Sequence, residues 1–209
     1  MSDPRWGSVC DVIELSNGDV VLAGRGGLYL LTATGETKRA IDKVNKYNCS
    51  VIIDGKLFAY CHSPPRLVVY TMQNDRWKTR HIVSLAYTVK NDAYLTLATT
   101  NGKIFACSDD DAKVLVLSQS GEVLQAHGKP GSGPAGELDW PDLCAVDIEE
   151  SMLVADYRND RLQVCDRNGQ WNVLDLQPPV KNPVRAAVID NKLYVCSRIQ
   201  QTLSVYARE

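Results

Sequence analysis

Asp156, Asn159 and Arg161 are the side chains best placed by type and spacing to act together. A short acid, an amide and a guanidinium this close can satisfy loop backbone groups and one another. They are expected to hold a loop rather than a ligand. The run Asp109-Asp110-Asp111 presents carboxylate oxygens of the kind calcium takes, but it lacks the spaced ligands of a dedicated calcium loop and reads as a solvated turn. Seven cysteines, Cys10, Cys49, Cys61, Cys107, Cys144, Cys165 and Cys196, are odd in number and form no Cys-x-x-Cys. They read as reduced thiols in apolar runs, and so as a sign of a reducing, cytoplasmic compartment. His62, His81 and His127 are too far apart for a local metal motif. No Gly-x-Ser-x-Gly elbow, phosphate-binding Gly-x-x-x-x-Gly-Lys loop or His-Glu-x-x-His occurs. The residues name no catalytic centre, no metal and no cofactor, and a non-enzymatic role is expected.

Bulk properties narrow the classes further. The 209 residues carry a formal charge of -2, with 44% hydrophobic and 23% charged side chains, an ordinary globular composition. The pI near 5.9 shows no basic excess of the kind DNA binding demands. No apolar run approaches the roughly 20 residues of a membrane helix, so no membrane partner is expected. Met1–Trp6 has no apolar core and does not read as a secretory signal.

The elements that must position any site repeat along the chain. Asn17–Ala23, Asp54–Tyr60, Asn101–Cys107, Glu150–Asp156 and Asp190–Cys196 each pair a tight turn with a strand-like run. Asn-Gly and Asp-Gly supply the positive φ that a two-residue hairpin needs. The turn positions Gly18, Gly55, Gly102, Ser151 and Asn191 stand 37, 47, 49 and 40 residues apart, a degenerate period of about 42 in the range of propeller blades. Each turn is preceded by one apolar run and followed, ten to twelve residues on, by another, as in Leu28–Leu31, Leu67–Tyr70, Val114–Leu117, Leu162–Cys165 and Leu203–Tyr206. Short fourth segments follow in the first four units. The pattern predicts one all-β domain over residues 1–209, a five-bladed β-propeller of four-stranded antiparallel blades, with units at about 8–43, 44–85, 86–138, 139–180 and 181–209. An evenly spaced β-sandwich is the alternative. The last unit stops after its third strand; Asp3–Ser8 is the candidate for the missing outer strand, the alternatives being an open ring or one completed by a partner.

The fourth unit carries the most specific signal. It reads Gly128-Lys-Pro-Gly-Ser-Gly-Pro-Ala-Gly-Glu-Leu138, then Trp140-Pro-Asp-Leu-Cys-Ala-Val-Asp147, Leu153-Val-Ala-Asp156 and Asn159-Asp-Arg-Leu-Gln-Val-Cys165. This resembles an NHL repeat, with its Gly-rich lead ending in Gly-Glu-hydrophobic, then Pro-x-x-hydrophobic-Ala-Val-Asp, Val-Ala-Asp and Asn-x-Arg-hydrophobic-Gln-Val. The other units keep only the strand skeleton. The resemblance implies a relative of the C-terminal propeller of tripartite-motif proteins, the recognition end of a ubiquitin ligase rather than its catalytic end. The cysteine and histidine spacings of RING and B-box modules are absent.

Loops joining second and third strands should share a face with those joining successive blades. That face is expected to hold the ligand-binding candidates Arg25, Lys46, Tyr47, His62, Arg66, Tyr157, Arg158, Lys181, Arg185 and Arg198, with Lys43, Lys90 and Lys129 beside them. Acids intrude at Asp109–Asp111, Glu137, Asp139, Asp142 and Asp160. A protein partner is the first expectation. Single-stranded RNA is the alternative, since basic side chains bind phosphates and tyrosines such as Tyr47 and Tyr157 stack bases. Propeller lyases and lactonases form a second alternative. Against it, the inner-strand positions Cys10, Cys49, Thr96, Cys144 and Arg185/Ala186 are poor calcium ligands.

Overall fold

The computed structural model describes residues 7–62, 64–73, 76–85 and 95–207, the side chains of His62 and Arg80 excepted. It is an all-β propeller of five small antiparallel sheets. Blade 1 comprises β1 (Val9–Glu14), β2 (Val20–Gly24), β3 (Gly27–Leu31) and β4 (Thr37–Asp42). Blade 2 comprises β5 (Tyr47–Ile53), β6 (Lys56–His62), β7 (Pro65–Gln73) and β8 (Arg76–Val83). Blade 3 runs through β9 (Leu95–Thr100), β10 (Lys103–Ser108), β11 (Lys113–Leu117) and β12 (Val123–His127). A short parallel pair, β13 (Lys129–Pro130) and β14 (Glu137–Leu138), precedes blade 4, which holds β15 (Pro141–Val146), β16 (Met152–Asp156), β17 (Arg161–Cys165) and β18 (Trp171–Val173). Blade 5 has three described strands, β19 (Pro183–Ile189), β20 (Lys192–Ser197) and β21 (Thr202–Ala207). Two compact units divide the chain, the first holding blades 1 and 2 and the second blades 3 to 5.

Local chemistry explains the hairpins. In the second, third and fifth units both central turn residues have positive φ: Asp54 and Gly55, Asn101 and Gly102, Asp190 and Asn191. These are the two-residue turns whose twist matches that of the strands they join. The first and fourth turns are wider than expected. Asn17 Oδ1 accepts from the Asp19 N–H at 3.1 Å, and Asp147 Oδ1 accepts from Glu149 and Ser151 N–H at 2.9 and 2.8 Å. Side-chain capping of this kind stabilises a longer loop.

In blades 1 to 4 the second and third strands read as continuous apolar runs rather than alternations because both of their faces are covered, whereas β20 and β21 of blade 5 are more exposed. Val21, Ala23, Leu28 and Leu30 pack with Leu57, Ala59 and Val68 in the first unit. Phe105, Val114 and Val116 pack with Leu143, Met152 and Val154 in the second, and Leu153, Ala155 and Leu162 meet Ala186 and Val195 there. The first strands share a further device. The register of β1, β5 and β19 slips just after the first paired residue, passing over Cys10, Asn48 and Val184, and that of β15 slips after its third, passing over Cys144, the mark of a β-bulge.

Gly27 shows how closely one blade is built. It sits at φ +126°, and an added Cβ would overlap the Asp42 carbonyl oxygen. Gly27→Ala is expected to destabilise the fold by roughly 2–4 kcal/mol, read as a lowered urea midpoint; an unchanged midpoint would contradict this packing.

The outer strand expected from Asp3–Ser8 lies, apart from Gly7 and Ser8, outside the described residues, as does Lys90. Ser8 accepts a backbone hydrogen bond from Arg25 at 3.0 Å.

Candidate functional site

Blade 4 is organised around one buried carboxylate. β16 ends at Asp156, a single 3-10 turn spans Tyr157–Asn159, and β17 begins at Arg161 opposite Asp156. Asp156 is fully buried. Its Oδ2 accepts from Arg161 Nε at 2.9 Å and from Asn159 Nδ2 and Gln163 Nε2 at 2.8 Å, while Oδ1 accepts from the Asp139 N–H at 2.7 Å. The same donors grip the Gly-rich lead. Arg161 reaches the carbonyls of Gly133 and Glu137, Asn159 that of Gly131, and Gln163 that of Glu137. Gln163 Oε1 accepts from the Gly136 N–H at 2.9 Å. The motif residues are thus consumed in tying residues 131–137 onto the blade, and their polar atoms face one another rather than solvent.

The 3-10 turn that this strut supports carries Tyr157 and Arg158. The Arg158 guanidinium lies 4.2 Å from the centre of the Trp140 ring, within cation–π range. Tyr157 stacks beside Trp140 with centroids 6.1 Å apart. Trp140 is 41% exposed and holds φ +55°, a conformation that a bulky residue adopts only under constraint from its surroundings.

Three of the four basic candidates of this unit are each matched to an acid. Arg158 pairs with Asp139 at 3.5 Å and Lys181 with Asp160 at 2.9 Å, and Arg185 meets Asp142. Asp160 also accepts from the Asn182 N–H at 2.8 Å. Burial raises the Asp160 carboxyl, but Lys181 and the Asn182 N–H outweigh it and hold the group below its ordinary value. Asn182 links onward to the Tyr157 carbonyl and, through its own carbonyl, to the Arg198 N–H. Trp140, Tyr157, Arg158, Lys181 and Arg198 therefore gather at one end of blades 4 and 5.

The other five candidates lie in the first unit, in a different setting. Arg25 and Lys46 are exposed. Arg66 donates to Asn45 Oδ1 at 2.7 Å and to the Pro64 carbonyl at 3.1 Å. The His62 side chain lies outside the described residues. Tyr47 corrects the expectation of an exposed stacking ring, for it is fully buried. Its β5 position faces the apolar cluster, and its hydroxyl lies 2.8 Å from Asp42 Oδ2 and 2.6 Å from the Tyr70 hydroxyl. Burial raises both phenols well above their ordinary value.

Sequence reasoning passed over Trp140, which stood in the motif but drew no role. The signal was an aromatic residue directly before a proline, at a strand start where the backbone must turn sharply. Burial and the neighbouring Asp142 push Cys144 up to about 12, and burial raises Cys10 despite Arg25. Among the described residues no group of three histidines, cysteines or carboxylates could hold a metal ion.

No protein-family model matches the chain, and no curated protein matches its sequence. Solved structures do resemble it. Virginiamycin B lyase from Staphylococcus aureus aligns over 100% of this chain and 72% of its own, at 12% identity and a TM-score of 0.65. BamB from Moraxella catarrhalis aligns over 94% and 58%, at 19% identity and a TM-score of 0.61. An auxiliary nutrient binding protein from Bacteroides thetaiotaomicron aligns over 94% and 58%, at 8% identity and a TM-score of 0.71. At such identities the likeness concerns the fold alone, and the fold is that of a β-propeller.

Proposed function

We propose that this propeller is a non-enzymatic recognition module that binds a protein partner through the end of blades 4 and 5. The observation that carries the reading is the Trp140–Tyr157–Arg158 cluster, an exposed aromatic held in left-handed backbone beneath a guanidinium. Tryptophan, tyrosine and arginine are the residue types that most often anchor protein interfaces. Around them the charges alternate in sign, Arg158 with Asp139, Lys181 with Asp160, Arg185 with Asp142. A mosaic of this kind suits a partner of mixed charge and sets binding register. It disfavours RNA, because each phosphate would have to displace a carboxylate already in place. Following the NHL resemblance of the fourth unit, the module would serve as the substrate-recognition part of a tripartite-motif-type ubiquitin ligase in the cytoplasm.

Affinity capture with the wild-type chain and the Trp140→Ala variant tests this reading. Trp140→Ala is expected to weaken partner recovery by at least roughly tenfold, the effect of losing about 1.4 kcal/mol or more at an anchor, while the unfolding midpoint moves little. Equal recovery by both proteins would remove Trp140 from the interface. Binding of a randomised single-stranded RNA pool is expected only at low salt; enrichment of a motif at physiological salt would replace the protein reading with the RNA one.

A further inference from the structure

The outer strands of blades 1 and 2, β4 and β8, lie side by side in the first unit. Each is the last strand of its sheet, so among the described residues one edge of each is free of sheet pairing. Between them is a cleft of about 310 Å³ lined by Arg39, Ala40, Ile41, Arg76 and Trp77. A second cleft of about 330 Å³ shares Arg39 and is lined further by Leu15, Asn17, Asp19, Leu30, Lys38 and Met72. Both volumes reach the lower end of the range of ligand sites. The shared wall makes one elongated groove.

Its charges differ in kind from those at the end of blades 4 and 5. Lys38 is taken by Asp19, at 2.6 Å. The Arg39 and Arg76 side chains have no hydrogen-bond or ion-pair partner within 4.0 Å among the described residues, although Arg39 is near enough to Asp19 to help hold its carboxyl down, and each lines an apolar wall made by Ala40, Ile41 and the Trp77 ring. Trp77 packs against the core of the unit. Its indole N–H is buried without an acceptor among the described residues, an unspent donor in the wall of the cleft. Two guanidinia beside an apolar wall call for carboxylates carried next to apolar side chains. An elongated groove along free strand edges calls for an extended chain, since a strand added at such an edge gains main-chain hydrogen bonds.

We infer that the β4–β8 groove binds an extended peptide segment that alternates acidic and apolar side chains. The carboxylates pair with Arg39 and Arg76, and the apolar side chains lie on Ile41, Met72 and Trp77. A small anion would use only the guanidinia and leave most of the groove empty. This site belongs to the first unit and does not rest on the reading of Trp140.

Fluorescence anisotropy of the full chain with a fluorescein-labelled peptide alternating glutamate and leucine, and with its glutamine counterpart, tests the inference. The glutamate peptide is expected to bind at least roughly tenfold more tightly than the glutamine one, with a preference that weakens as salt rises. The Arg39→Gln, Arg76→Gln double variant is expected to lose that preference at an unchanged unfolding midpoint, and Trp140→Ala to keep it. No binding, equal binding of the two peptides, or full affinity in the double variant would overturn the inference. So would displacement of the peptide by inorganic phosphate or by polyuridylate at equal concentration, which would make the groove a general anion or RNA site.

Discussion

Replacing Asp156 by alanine is expected to lower the stability of the chain by roughly 3–5 kcal/mol, the range for removing one partner from a buried ion pair. The size follows from what the carboxylate holds. Four donors converge on it: the Arg161 guanidinium, two side-chain amides and the Asp139 N–H. Arg161, Asn159 and Gln163 also hold the lead over residues 131–137, so loss of the carboxylate leaves a cation and several polar hydrogens unmatched and frees the loop. The double variant Asp156→Ala, Arg161→Gln should lose less than the sum of the singles, because the stranded charge is then gone as well. Urea unfolding measures both effects, and limited proteolysis over residues 128–138 reports release of the loop. An Asp156→Ala protein within about 1 kcal/mol of wild type would remove the hub from the account of this blade. Since Trp140 follows Asp139 directly, the same variant should also weaken partner capture, whereas Trp140→Ala leaves stability nearly intact.

The second large effect is expected at Asp42, in the first unit. Its Oδ1 accepts from the Val44 and Asn45 N–H at 2.6 and 3.2 Å, and its Oδ2 from Asn45 Nδ2 and the hydroxyls of Tyr47 and Tyr70. Burial pushes the Asp42 carboxyl up, but these hydrogen bonds prevail and hold it down at about 2. Asp42→Ala strands two buried phenols and should destabilise the unit by roughly 2–4 kcal/mol, and Tyr70→Phe by about 1–2 kcal/mol. The pH dependence has a definite sign. The folded value lies below the unfolded one of about 3.9, so the contribution is fully present above that pH and is lost as pH falls from about 4 towards 2. After discounting for solvent screening it amounts to about 1–2 kcal/mol. Urea midpoints measured between neutral pH and pH ~3 should fall further in wild type than in Asp42→Asn. Parallel curves for the two proteins would show that Asp42 does not carry this acid sensitivity.

The blades were legible in the sequence because their signals are local. Asp54-Gly55 and Asn101-Gly102 take the positive φ that their hairpins require, and this preference belongs to the residues themselves. The runs Leu67–Tyr70 and Val114–Leu117 read as strands covered on both faces because nothing polar interrupts them. The clustering of Asp156, Asn159 and Arg161 followed equally from a spacing that one hairpin spans. What each side chain faces is set by register, and a one-residue change in register exchanges the two faces of a strand. Tyr47 therefore read as a candidate stacking ring and lies in the core. The pairs that neutralise the basic residues join positions 19, 21 and 43 residues apart, and the groove between Arg39 and Arg76 arises where β4 and β8 lie side by side. Composition records that such charges exist. Only the packing of one blade against the next decides which of them meet, because that choice depends on distances between strands that no short stretch of chain encodes.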